Sequence, residues 1–362
     1  MNNFKKVGLS ALAGSLVAVS ANAGEISVAG SAGMYLEHIN GGAANSGKSF
    51  SMDNQLTFTG GGELDNGLNV SVSFVIDQGD DGLSATNNAT TAQSTSPFDS
   101  HSVTVSSDAF GSITMHGEGM SSASGALDGT PSGNIWDAFQ AAADEPEAAP
   151  GATGGLSYAF PSMMDGLALT ASYSPSNGNP SSSTAFGVVY TGVEGLTLTY
   201  ASGDDKANAT SEADHTVMAA KYAYGPITVA YMNSEYDDAV ASGDQTTDAY
   251  SIAYTVSDGL SISYGYEELE FGVQSSTNVA AEFERIKVSY TAGGMTLTAS
   301  SATGDNIDYS TTATKDQESS GVSASYTMGG MTLAGAMNSI DNVQGTDATD
   351  NTGYEFTLSF AF

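Results

Sequence analysis

Gly353-Tyr354-Glu355-Phe356-Thr357-Leu358-Ser359-Phe360-Ala361-Phe362 closes the chain, and its side chains alternate without a break. Tyr354, Phe356, Leu358, Phe360 and Phe362 share one face, while Glu355, Thr357, Ser359 and Ala361 share the other. A period of two is a β-strand, in which successive side chains point to opposite faces. A strand this apolar on one side is an aggregation hazard in water unless that side meets lipid. The stretch therefore reads as the closing strand of a transmembrane β-barrel rather than as the edge of a soluble sandwich.

Upstream, the same unit recurs as a chain of β-hairpins: an alternating segment of about ten residues, a tight turn, a second such segment and a longer polar loop. The first strand puts Ile26, Val28, Ala32, Met34 and Leu36 on one face and Ser27, Ser31 and Glu37 on the other. The second puts Phe50, Met52, Leu56 and Phe58 outward, with Asp53, Gln55 and Thr57 inward. Ser, Thr, Asn and Asp in such numbers on the inner face need water as a partner, so that face lines an aqueous lumen. Val288-Ser289-Tyr290-Thr291-Ala292-Gly293-Gly294-Met295 is echoed by Ala324-Ser325-Tyr326-Thr327-Met328-Gly329-Gly330-Met331, each a strand, a glycine turn and the start of a second strand. Tyr158, Tyr190, Tyr224, Tyr254, Tyr290 and Tyr326 all precede tight turns. A row of tyrosines at one rim is what a membrane interface selects, with ring in lipid and hydroxyl among headgroups.

The amino end reads as an address. Lys5 and Lys6 precede an apolar run from Val7 to Val19 that ends in Ala21-Asn22-Ala23, the pattern of a secretory signal peptide cleaved after Ala23. Two domains of meaning follow: a signal peptide over 1–23 and an outer-membrane barrel over 24–362, exported to the envelope of a Gram-negative cell. Loss of Lys5 and Lys6 takes the formal charge from −33 to −35 and leaves 6 basic residues against 41 acidic ones. Nucleic acid is excluded as a partner by that balance. With 0 cysteines, no disulfide, thiol chemistry or cysteine metal site is available.

Eight tight turns, near Glu63, Ser107, Pro161, Thr191, Gly225, Ser257, Ala292 and Gly329, alternate with nine mostly longer loops. That count gives an all-β, antiparallel up-and-down barrel of 18 strands with both termini in the periplasm, or 16 if Ser182–Leu198 is miscounted. Either number encloses water, because barrels of this size are too wide for side chains to fill.

One loop breaks the rhythm. Gly119 to Gly154, the third external loop, contains Asn134-Ile135-Trp136-Asp137-Ala138-Phe139-Gln140 with the chain's only Trp, and then the acidic run Asp144-Glu145-Pro146-Glu147. A loop of this length is usually functional or disordered, and its apolar residues need a surface to cover. The expectation is that it folds into the lumen and narrows the pore, the alternative being an exposed loop with one amphipathic turn. An exported hairpin chain with a tyrosine rim, a long third loop entered through Ile113-Thr114-Met115-His116-Gly117-Glu118 and a terminal Phe is similar to the general porins of Gram-negative bacteria, above all the alphaproteobacterial, Rhodobacter-like type. The resemblance implies a homotrimer in outer-membrane lipid, a third loop that defines the constriction, and assembly by the barrel assembly machinery through the C-terminal strand. The family usually has 16 strands and faces its acidic third loop with a ladder of arginines. This chain departs there, since the lumen-facing basic residues are Lys221, Arg285 and Lys287. The candidate constriction is therefore Trp136, Asp137, Asp144, Glu145 and Glu147, with Lys221, Arg285 and Lys287 on the wall.

Other chemistry is sparse. His38, His101, His116 and His215 lack a second histidine at metal-ligand spacing, so neither a zinc site nor a catalytic site is read, and no enzyme activity is expected. Asp80, Asp81, Asp204, Asp205, Asp237 and Asp238 form acid pairs in external loops. They would bind Ca²⁺ or Mg²⁺ weakly or serve as solvated charge around the mouth, and no other cofactor is implied. The reading that follows is a passive, cation-preferring diffusion channel for small hydrophilic solutes and ions. A substrate-specific channel and a structural or adhesive surface barrel are the competing classes.

Overall fold

A computed structural model of the chain describes residues 26–41, 47–77, 98–132, 154–176, 181–208, 211–241, 243–275, 279–306, 315–347 and 350–362. The first six strands are β1 Ile26–Gly41, β2 Gly47–Glu63, β3 Asn69–Asp77, β4 Phe98–Ser107, β5 Gly111–Glu118 and β6 Gly155–Ala159. The next six are β7 Leu167–Ser174, β8 Ser183–Val193, β9 Leu196–Asn208, β10 Ser211–Tyr224, β11 Ile227–Asp238 and β12 Gln245–Ser257. The last six are β13 Leu260–Phe271, β14 Ala281–Ala292, β15 Met295–Asp305, β16 Gln317–Met328, β17 Met331–Asp341 and β18 Asn351–Ala361. The count of 18 settles the choice between 16 and 18 strands, since β8 and β9 are separate strands that turn at Glu194-Gly195 rather than near Thr191.

Every strand pairs antiparallel with its sequence neighbours, and β1 also pairs β18 from Ser31↔Ala361 to Gly41↔Asn351. That last ladder closes the sheet, so no edge is left to template aggregation. The closure extends to the terminal residue: Phe362 N–H donates to Gly30 O at 2.9 Å, and Gly30 N–H donates to Phe362 O at 2.7 Å. A Cβ on Gly30 would lie 2.5 Å from the Phe362 ring, so a larger residue there has to displace that ring. The end strand that the sequence singles out is thus held as the seam of the barrel.

Eight turns join the strands on the side of the termini, and each places a glycine in the left-handed region, as at Gly225 (φ 55°) and Gly259 (φ 76°). Only glycine takes that conformation without strain, which is why the hairpin turns are so legible in sequence. Outward positions carry the large apolar side chains, including Met34, Met52, Met115, Phe186, Ile286, Val322, Met337 and Phe356, all exposed on the barrel surface. Tyr224, Tyr254, Tyr290 and Tyr326 are among them, close to the turns. A second aromatic set stands higher on the same outer face. There Tyr250 stacks on Tyr266 with centroids 5.0 Å apart, Tyr354 lies 5.9 Å from Phe356, and Tyr231 hydroxyl donates to Asp248. Two aromatic rings bracket an apolar belt, the layering that lipid imposes on a barrel. Among the described residues no helix is long and apolar enough to cross a membrane.

Candidate functional site

The lumen is polar by alternation: whatever neighbours an outward apolar residue points in. Thr104 and Thr114 share a hydroxyl hydrogen bond of 2.8 Å across β4 and β5, and His116 Nε2 meets Ser157 Oγ at 2.9 Å across β5 and β6. The exception is the inner wall from β8 to β14, where Ala185, Ala201, Val217, Met232, Ala249, Ala281 and Phe283 occupy lumen-facing positions and are buried. Something dry must cover them, and for much of that wall it is the third loop.

Of that loop, Gly119 to Ser132 is described, and it runs along the wall from β7 to β13. Ala123 N–H donates to Ser172 Oγ at 2.9 Å, and Leu127 packs on the cluster of Ala201, Val217, Met232 and Ala249. Asp128 Oδ2 lies 2.7 Å from His215 Nε2 and accepts from Ser234 Oγ at 2.9 Å, with the Asp128 and His215 side chains 3% and 0% exposed. Further on, Ser132 Oγ donates to Glu267 Oε2 at 2.7 Å, as does Thr130 hydroxyl, and Glu267 is fully buried. The track beneath is cut from small residues. A Cβ on Gly203 would approach Ser124 Oγ to 2.8 Å, and one on Gly265 would come within 2.4 Å of Ser132 O. The loop therefore lies inside the barrel, fixed at Ala123 by the Ser172 hydroxyl and from Asp128 to Ser132 by two buried carboxylates.

The cluster of Asp128, His215 and Ser234 contains the residue types of a hydrolytic triad, but not its geometry. Both Asp128 and Ser234 meet His215 through the same nitrogen, Nε2, so the ring cannot pass a proton from serine to carboxylate. It acts as a latch between loop and wall.

Residues expected from sequence distribute as follows. Trp136, Asp137, Asp144, Glu145 and Glu147 lie outside the described residues, as do Asp80 and Asp81. Lys221 on β10 and Arg285 and Lys287 on β14 occupy lumen-facing positions. Arg285 and Lys221 line one cavity of about 460 Å³ beneath the loop. Asp204 points outward, accepts from Thr184 N–H and hydroxyl, and pairs with Lys206 Nζ at 2.6 Å. Asp237 and Asp238 are adjacent on β11 and hence face opposite sides of the sheet. Among the described residues, no group of three His, Asp or Glu could hold a metal.

Sequence reasoning missed Asp128, His215, Ser234 and Glu267. It set Asp53, Glu37 and Glu355 on inner faces but did not bring them together as an acidic pole: Asp53 accepts from Tyr35 hydroxyl at 2.7 Å, Glu37 stands opposite Glu355 across β1 and β18, and Glu355 accepts from Thr357 at 2.9 Å. β1 and β10 are nine strands apart in a closed ring of 18, so this pole faces the wall that bears Lys221. The available signal was parity: apolar residues at lumen positions from β8 to β14 mark where a loop rests.

A closed membrane barrel with a polar bore and a loop laid along its inner wall defines the class of β-barrel channels. The family model of Gram-negative porins matches residues 8–283, and the chain belongs to that family. Among solved structures, a five-substitution variant of the Rh. blastica porin is similar at TM-score 0.54 and 16% identity, covering 93% of this chain and 100% of that one. A second variant of the same porin gives TM-score 0.54, 16% identity and the same coverage. A porin refined at 1.8 Å gives TM-score 0.51, again at 16% identity over 93% of this chain and 100% of that one. No curated protein matches by sequence. Family and fold together support a passive outer-membrane channel rather than an enzyme.

Proposed function

We propose that the chain is a general diffusion channel for small hydrophilic solutes and ions, and that it prefers cations. The observation that supports this reading is the described part of the third loop, latched along the inner wall of a barrel with a polar bore; in this account the loop narrows the bore without filling it. Preference for cations rests on charge. The chain has 41 acidic and 8 basic residues, and an acidic mouth with low-dielectric walls raises local cation concentration. Asp137, Asp144, Glu145 and Glu147 of the same loop add to that field in this account, and so do Asp53, Glu37 and Glu355 on the wall. The acids Asp80, Asp81, Asp205, Asp237 and Asp238 act in this account as solvated charge that holds Ca²⁺ or Mg²⁺ weakly at most, whereas Asp204 is taken up by Lys206 and Thr184.

In this proposal the leader 1–23 directs export and is removed, the barrel assembly machinery reads the strand ending in Phe362, and residues 24–362 assemble as a homotrimer in outer-membrane lipid. Liposome swelling tests the channel. Refolded protein should admit small neutral sugars at rates that fall steeply with solute size. Swelling absent for every sugar, as an adhesive or plugged barrel would give, contradicts the proposal.

A further inference from the structure

We infer that the outer wall holds one hydrocarbon chain of a phospholipid in a hollow on β14 to β18, in the leaflet next to the tight turns. The inference goes beyond the channel reading and rests only on the barrel lying in a membrane. A cavity of about 760 Å³ opens on the outer face there, and no charged residue is among the described residues that line it. The belt is built mostly of large side chains, but Ala324 on β16 and Gly335 on β17 stand opposite each other in the ladder, and Ala299 on β15 is the diagonal neighbour of Ala324. Large side chains surround this floor. Leu297 and Phe356 complete its row across the sheet, Tyr326 and Leu333 stand on the side of the turns, and Val322 and Met337 stand on the other. A Cβ on Gly335 would lie 3.1 Å from the Phe356 ring, so that ring leans over the floor.

Water exclusion does not drive a hydrocarbon chain onto a wall that already lies in lipid, so packing decides which lipid stays. A flat wall touches a chain on one side. A hollow with raised sides touches it on several, and each added pair of atoms at close range contributes dispersion. The hollow also has a polar edge in the right place: Tyr290 and Tyr326 are exposed and line it, two residues from the ends of β14 and β16. Hydroxyls at headgroup level can donate to the ester or phosphate oxygens of the lipid whose chain fills the floor. Ala324 is four residues from the end of β16, about 14 Å of tilted strand, which sets the floor within the leaflet on that side. Charge favours lipid over a second copy of the chain as the occupant. Further along the same strands Glu282, Glu284, Asp305, Glu318 and Asp341 are exposed on the same outer face, with Glu282 opposite Asp305 and Glu318 opposite Asp341. Protein laid along this wall would bury those carboxylates, whereas lipid leaves them among hydrated headgroups.

The test refolds the purified protein into phosphatidylethanolamine vesicles, extracts it in mild detergent and reads the washed particles by native mass spectrometry. One phosphatidylethanolamine per chain should survive washing in wild type. Ala324→Phe and Ala299→Phe fill the floor and should each lower the retained lipid about tenfold, the change that about ten lost close atom pairs bring. Ala171→Phe makes the same substitution elsewhere on the outer face, opposite the exposed Phe186 of β8, and should retain lipid as wild type does. Folded mobility on a gel separates loss of lipid from loss of the barrel, and if one floor variant does not fold the other decides. Wild type without bound phospholipid overturns the proposal. So does retention that is equal in wild type and both floor variants, or that falls as far in Ala171→Phe. A floor variant that changes the number of chains per particle while keeping its lipid assigns the hollow to a second copy and overturns the proposal as well.

Discussion

His215 has no exposed surface on the loop-covered wall, and the partner it keeps there is a carboxylate from the loop. A buried polar group is tolerated only when it is hydrogen-bonded, so loop and wall hold each other in place through Asp128, His215 and Ser234. His215→Ala should cost about 1–3 kcal/mol of loop anchoring, since Asp128 then keeps one of its two partners. Limited proteolysis checks this: cleavage within 119–154 should quicken in the variant while the barrel keeps its folded mobility on a gel. Gly265→Val reaches the same end by sterics, because its side chain meets the backbone of Ser132. Cleavage as slow as in wild type in both variants would show that these contacts do not hold the loop. None of these residues is conspicuous in the sequence. A lone histidine without a ligand partner gives no metal or catalytic signal, and the loop's visible feature, Trp136, drew attention away from the small polar residues 122–132 that make the contacts.

At the scale of the element, strands were legible because two demands coincide on each of them. Lipid requires apolar residues at every second position, and the bore requires polar ones between. The turns were equally plain, since a left-handed position in a two-residue hairpin selects glycine. What alternation could not reveal was the upper aromatic ring around Tyr250, Tyr264, Tyr266 and Tyr354, because no turn glycine flags that end of the strands. The same logic yields a paired expectation on β16. Val322 faces lipid about midway between Glu318 and Tyr326, and its neighbour Ser323 faces the bore. Val322→Arg should destabilise the barrel by about 2–4 kcal/mol, whereas Ser323→Arg should leave stability close to wild type and lower conductance. Urea unfolding in lipid vesicles measures both, and equal losses would contradict the assigned faces. The seam is a further such element. Deleting Phe362 removes the last pair of hydrogen bonds to Gly30 and should leave unassembled protein in the periplasm; normal folded barrels from the truncated chain would defeat that expectation.

The whole molecule is an 18-stranded ring with its termini and eight tight turns at one end and its long loops at the other. The strand number followed from counting turns, and the inward third loop from its length and apolar content. Alternation alone set the wall acids Asp53, Glu37 and Glu355 on inner faces, but they form one pole only once the ring is closed, since sequence does not show which strands meet or face each other across a bore. Orientation is testable because the chain has 0 cysteines. Single cysteines at Gly225, Ser257 and Gly329 should stay unlabelled on intact cells, while those at Asp205, Asp238 and Asp347 should react. The most direct measurement of the central claim is the reversal potential of single channels under a KCl gradient. The account expects discrete conducting steps with K⁺ passing more readily than Cl⁻, a preference that weakens as salt screens the acids over about 8–10 Å. A protein that does not conduct, or one that passes Cl⁻ more readily than K⁺, would contradict it.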